Sequence, residues 1–260
     1  MTRKPLIAGN WKMNLDHEEA TNFFQKLSDG LEDAGINYNK TEVVVFPPFT
    51  DLRSIQVVSH DLDGAPAYGA QDLSPEANGA FTGDIPAGFL TKLGCTYVLV
   101  GHSERRTLHH ETDADALAKT KVAIAAKLVT VLCVGEPLEE RQAKNHVEYT
   151  LAQVKAVVAE LTPEELDDVV IAYEPVWAIG TGEVATAEDA QEMAAAIRKE
   201  IANIHNEETA DKMRILYGGS VKGSNADEII GQQDVDGALV GGASLDEVDF
   251  VKIAESAPTA

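Results

Sequence analysis

Eight times along this chain of 260 residues, a short apolar, β-branched run gives way to helical periodicity or a capped turn. The runs are Leu6–Lys12, Glu42–Phe46, Ala65–Gln71, Thr96–Val100, Val129–Val134, Val169–Tyr173, Arg214–Tyr217 and Gly237–Val240. Strands alternating with helices pair in parallel, because each crossover returns the chain to the same edge. Eight such units in about 250 residues are what a closed barrel needs. The expected fold class is therefore α/β, a closed eight-stranded parallel (β/α)8 barrel. We expect a single domain over residues 1–260, with 254–260 a frayed tail, since no linker or low-complexity stretch interrupts the alternation. An open doubly wound sheet is the competitor. It is disfavoured because the first strand–helix turn lacks G-x-G-x-x-G.

Small or polar residues gather where the strands end: Asn10, Gln71, His102, Glu136, Glu174, Gly218 and Gly241. A barrel collects all of these at one mouth, where its active sites lie. Helix starts are marked by capping-box patterns at Thr112–Asp115 and Thr186–Asp189. Ser224–Asp227 and Ser244–Glu247 are read the same way, and Thr162–Glu165 as a capped turn. The third connection, Asp72 to Pro86, exceeds the usual 2–6 residues of a βα turn, so contact with a partner subunit and a mobile surface loop are both open readings.

Charge removes whole classes of partner. Lys and Arg number 21 against 43 Asp and Glu, a formal charge of -22. Nucleic acid and anionic membrane surfaces both need positive patches, so neither is expected as a partner. No apolar run nears the ~18 residues of a membrane span. Cys95 and Cys133 lack CxxC or metal-ligand spacing, which suits a reducing cytoplasm. No signal-peptide core precedes the first strand.

The richest stretch is Val169-Val-Ile-Ala-Tyr-Glu-Pro-Val-Trp-Ala-Ile-Gly-Thr-Gly182. A strand ends on the carboxylate Glu174, and Pro175 stops pairing because it has no N–H. An apolar tip, Val176 to Ile179, then meets Gly180-Thr-Gly182, the composition of a lid that swings over a ligand. A carboxylate beside such a lid can be desolvated and made more basic, suiting Glu174 to be a general base. His102 follows Val98 and Val100 by strand alternation, and Ser103-Glu-Arg-Arg106 reads as a helix start. A helix N-terminus disfavours imidazolium, so His102 is expected neutral and donating to a carbonyl. Lys12 is placed on the same strand face as Asn10 and can attract an anion and steady enolate-like charge. Glycine turns Gly218-Gly219-Ser220 and Gly241-Gly242, after strands seven and eight, form a frequent phosphate site in barrels.

Taken together, Ala8-Gly-Asn-Trp-Lys-Met-Asn14, Gly101-His-Ser-Glu-Arg-Arg106, Ala172 to Gly182, Tyr217-Gly-Gly-Ser-Val221 and Gly237-Ala-Leu-Val-Gly-Gly242 resemble the triosephosphate isomerase family. The motifs stand in family order and span nearly the whole chain. The resemblance implies a TIM barrel that interconverts dihydroxyacetone phosphate and D-glyceraldehyde 3-phosphate in glycolysis and gluconeogenesis, with no cofactor and no metal. It implies Glu174 as the proton shuttle, His102 as electrophile, and Lys12 with Asn10 supporting the enediolate. Base, neutral imidazole and lid closure are known features of this family rather than deductions from the residues above. Substrate contacts are implied for Asn10, Trp11, Lys12, Gly180, Ser220, Gly241 and Gly242, with Glu104 behind Lys12. The 71–86 loop resembles the segment that joins two subunits in a homodimer, with Gln71 and Thr82 as contacts. One departure is Glu183, where relatives often carry Lys.

Two rivals remain at this stage. A Schiff-base aldolase would use Lys12 as nucleophile. A non-catalytic binding protein would keep the barrel alone, against the grain of an intact Glu174, His102 and Lys12.

Overall fold

The computed structural model describes residues 3–62, 64–178 and 185–258. Eight parallel strands close on themselves in sequence order. They are β1 (Leu6–Asn10), β2 (Glu42–Phe46), β3 (Ala67–Ala70), β4 (Tyr97–Val100), β5 (Val129–Val134), β6 (Val169–Tyr173), β7 (Arg214–Tyr217) and β8 (Gly237–Val240). The helices around them are α1 (His17–Asp33), α2 (Leu52–His60), α3 (Ala87–Lys92), α4 (Ser103–Leu108), α5 (Asp113–Ala125) and α6 (Leu138–Gln142). They continue as α7 (His146–Val158), α8 (Ala187–Ile204), α9 (Glu207–Lys212), α10 (Ala226–Ile230) and α11 (Glu247–Glu255). The expected (β/α)8 barrel is what the chain forms. Closure comes from β8 pairing with β1 in the register Leu6↔Gly237 to Gly9↔Val240.

Side-chain alternation divides the apolar residues into two cores. Leu6, Ala8, Phe46, Leu99, Cys133, Ala172, Leu216 and Leu239 fill the barrel interior. Ile7, Val45, Val98, Val100, Leu132, Ile171 and Ile215 face the helices instead. Apolar runs without polar gaps are the sequence mark of strands covered on both sides. At the N-terminal end of the barrel, polar residues close the interior. Glu42 takes a hydrogen bond from Tyr97 Oη at 2.5 Å and pairs with Arg214, with Lys4 Nζ at 3.4 Å. Burial works against ionising Glu42, but the Arg214 guanidinium and its other donors hold its pKa below the ordinary value. These groups close the floor, and the C-terminal ends of the strands lie at the opposite end of the barrel.

Helix caps follow the sequence in part. Thr112 and Thr186 complete capping boxes with Asp115 and Asp189. Thr162 and Glu165 exchange the same pair of bonds. The other two patterns are corrected. Asn225 rather than Ser224 precedes α10, with no side-chain cap bond, and Asp246 rather than Ser244 caps α11 by accepting from the Asp249 amide. Ser244 Oγ instead donates to Gly241 O at 2.7 Å, steadying the glycine turn after β8. The stretch expected to fray from 254 is partly helical, since α11 runs to Glu255 and both Ala254 and Ala257 are buried. No helix among the described residues is long and apolar enough to cross a membrane.

Candidate active site

The mouth is assembled from the residues just past the strands, and two of them arrive there against simple alternation. Val98 and Val100 face the helices, so a strand continued through residue 102 would carry His102 outward with them. The strand stops first. Gly101 takes φ +67, a left-handed conformation that glycine adopts without steric cost, and the reversal turns His102 into the mouth. Lys12 likewise does not extend β1, which ends at Asn10. It adopts φ 52 and donates its amide to Asn10 Oδ1 at 3.0 Å. Gln71 holds this unusual turn by donating to Lys12 O at 2.7 Å and Phe46 O at 2.9 Å. Gln71, expected at a subunit contact, thus spends its amide on its own chain.

His102 is buried and precedes α4. Its Nδ1 accepts the Glu104 amide at 3.2 Å, so that nitrogen carries a lone pair and the proton belongs on Nε2. Nε2 lies 2.9 Å from Glu174 Oε1. Burial opposes charge on this imidazole, while the Glu174 carboxylate promotes it and wins while the two touch, raising the His102 pKa. The amide bond into Nδ1 resists that charge, because imidazolium has a proton on both nitrogens.

Glu174 is buried and continues the interior side of β6 beyond Ala172. Its carboxylate accepts from the Ser103 amide at 3.0 Å and the Ser103 hydroxyl at 3.3 Å. Burial alone would raise its pKa, as expected of a base in a dry site. Here His102 and the Ser103 amide outweigh burial and hold it below the ordinary carboxylate value. The neighbouring backbone leaves little slack: a Cβ on Gly135 would stand 1.7 Å from Glu174 O, and one on Gly218 3.0 Å from Glu174 Cγ.

A cavity of about 330 Å³ opens between these groups. Asn10, Lys12, His102 and Glu174 line one part, and Gly218 to Lys222 with Gly241 to Ala243 line the rest. The site residues expected on it are therefore brought together, with two exceptions. Trp11 is not on the wall. Its ring is buried in the outer core edge-to-face with Phe23, centroids 5.4 Å apart. Gly180, like the rest of 179–184, lies outside the described residues. Glu104 Oε1 sits 2.7 Å from Lys12 Nζ. Thr82 is exposed on the 71–86 loop. Glu136, read as one of the mouth residues, is wholly buried beside the cavity rather than on it. It accepts from Trp177 Nε1 at 2.8 Å and Tyr173 Oη at 3.0 Å, anchoring the turn that follows Pro175.

Sequence reasoning missed Ser103 and Lys222. Ser103 was visible only as the start of a helix, and its bonds to Glu174 span a separation of 71 residues. Lys222 carries no local signal, since most lysines are merely solvated. Only its distance of two residues from the Gly-Gly-Ser turn could have drawn notice.

Against known proteins, the family model described as triosephosphate isomerase matches residues 5–257. A protein named triosephosphate isomerase from Mycobacterium avium is 55% identical over 254 residues, covering 98% of this chain and 97% of its own. Another of that name from Streptomyces coelicolor is 56% identical over 252 residues, covering 97% of both. A third, from Mycobacterium tuberculosis, is 54% identical over 254 residues, covering 98% of this chain and 97% of its own.

Proposed function

The chain belongs to the triosephosphate isomerase family and is an isomerase of that kind, and on that premise we propose how its mouth residues divide the work. Dihydroxyacetone phosphate and D-glyceraldehyde 3-phosphate exchange a proton between adjacent carbons through an enediolate. The reaction needs a base, a donor for the carbonyl oxygen and a seat for the phosphate.

Glu174 is the base, and the single observation that carries this reading is its contact with His102. The imidazole aims an Nε2–H into the mouth, and Glu174 Oε1 now occupies that hydrogen bond at 2.9 Å. A substrate carbonyl taking the same position displaces the carboxylate toward the adjacent carbon, which places base and electrophile on neighbouring atoms. Leaving His102 also releases Glu174 from the partner that lowers its pKa most, so the carboxylate becomes more basic once substrate is bound. Lys12 and Asn10 support the negative oxygens of the enediolate. Glu104 keeps the Lys12 ammonium in place, which suits a fixed charge better than an aldolase nucleophile.

The phosphate rests on backbone N–H groups of Ser220, Gly241 and Gly242. A Cβ on Gly242 would meet open space and one on Gly241 would come 3.6 Å from Lys12 Cε, so the cradle is open and adjacent to the cation. Gly180 would complete this cradle from the lid.

The chain works as a homodimer through the 71–86 loop. The loop has a fixed shape: the Ser74 amide donates to Ile85 O at 2.9 Å and its hydroxyl to Asp84 at 2.8 Å. At its root Lys119 joins Asp72 and Glu111, each at 2.6 Å. Phe81 on the loop is 44% exposed, and Met13 and Phe89 are more so, as uncovered apolar contacts would be.

A coupled assay with glyceraldehyde 3-phosphate tests the whole reading. Turnover abolished in Glu174→Gln and His102→Gln, both folded, is the expected result. Undiminished turnover in either removes that residue from its role.

A further inference from the structure

The mouth must admit a phosphate dianion in a protein whose formal charge is -22, and its cations are few. Of the two lysines on the cavity wall, Lys12 is already paired with Glu104 at 2.7 Å. Glu174 adds a second carboxylate, already in contact with the His102 imidazole at 2.9 Å. Lys12 and Glu104, and His102 and Glu174, thus pair off among themselves, and none of these four groups is left as an unpaired cation to meet an incoming anion.

Lys222 changes the balance. It lines the cavity directly after Ser220 and Val221, on the side of the glycine turns. It is exposed and has no ion-pair partner among the described residues. Its backbone is fixed, since its amide donates to Asn225 Oδ1 at 2.8 Å and its carbonyl accepts from the Asn225 and Ala226 amides. The nearby Asp249 accepts from the Gly223 amide at 2.9 Å. A root held this way leaves an ammonium at the rim with no carboxylate partner among the described residues. In a cleft with low-dielectric walls such a charge raises the local concentration of anions.

We propose that Lys222 recruits the phosphate group of the substrate to the mouth and helps hold it against the turn after β7, a role that rests on the triose-phosphate reading above. Lys12 stabilises charge at the reacting end, and Lys222 acts on the phosphate that does not react. The interaction is equally strong in ground and transition states, so it appears in kcat/KM and not in kcat.

The test compares wild type with Lys222→Gln, Lys222→Glu and, as a control of the same charge change, Lys199→Glu on α8, at about 0.01 M and about 0.15 M salt. The screening length falls from roughly 30 Å to roughly 8 Å over that range. Lys222→Glu is expected to lower kcat/KM roughly tenfold at the lower salt, with a smaller gap at the higher. Its kcat stays within about twofold of wild type, Lys222→Gln falls between, and Lys199→Glu matches wild type. Inorganic phosphate, titrated as a competitive inhibitor and followed directly by NMR, binds Lys222→Glu more weakly by a similar factor. Wild-type kcat/KM, salt dependence and phosphate affinity in Lys222→Glu would overturn the proposal, as would a loss confined to kcat. A wild-type protein that binds phosphate yet does not isomerise the triose would overturn the functional reading instead, and the phosphate titration would still decide the role of Lys222.

Discussion

The Glu174 carboxylate rests on the amide and hydroxyl of Ser103, 3.0 and 3.3 Å away, a neighbour contributed by a different strand–helix connection. The base is therefore held at one defined position before substrate arrives, and reach from the β6 backbone sets where it can go next. Glu174→Asp shortens that reach by about one methylene. The variant folds normally, with an unchanged circular dichroism spectrum, and its kcat drops about 10²-fold or more, since a misplacement near 1 Å spoils proton transfer. Wild-type kcat in a coupled assay would show that another group takes the proton.

Gly101 makes a different kind of prediction, because its backbone conformation sets the direction of the residue that follows it. Ala at this position keeps φ +67 only at a cost of roughly 1–3 kcal/mol, and its Cβ would lie 3.0 Å from Arg106 Nη2. Gly101→Ala is expected to lower the melting temperature and, by misdirecting His102, to reduce kcat more than KM. A variant that is less stable but fully active would show that His102 finds its place without the turn.

The sealed floor of the barrel predicts a pH effect far from the chemistry. The pKa of Glu42 is lower in the folded protein than its ordinary value of 4.5. Its ionised form is thus stabilised by folding, and that stability is present above the unfolded pKa and lost as pH falls through the folded one. Glu42→Gln is expected to cost about 1–3 kcal/mol near pH 7, because Arg214 loses a charged partner. The gap between variant and wild type should close as urea denaturation is repeated below about pH 4.5. A gap that widens on acidification would mean the carboxylate is not held ionised there.

Phe81 carries the assembly prediction. Phe81→Asp places a charge where the proposed partner subunit seats the loop, and sedimentation velocity should show a monomer in place of a dimer. A dimer of undiminished affinity would put the interface elsewhere.

The amino-acid sequence by itself determined the eight strand–helix units, because apolar runs and helical periodicity are local patterns that need no neighbour to be read. It also determined which residue types stand at strand ends, and with them the family. Glu174 was legible as the carboxylate that ends a strand before Pro175, and the structure puts it at the next interior position after Ala172. Alternation misled for His102 and Lys12, where backbone conformations with positive φ break the strand period. Trp11 sits within a site motif yet packs into the outer core, a matter of which side of β1 its neighbours cover. Tertiary structure alone decided the contacts made across long separations: Ser103 on Glu174, Gln71 under Lys12, Trp177 on Glu136, and Lys222 on the cavity wall. None of these has a period or a spacing, because barrel closure joins connections that are distant in the chain, and only a closed sheet sets how far apart their side chains come to rest.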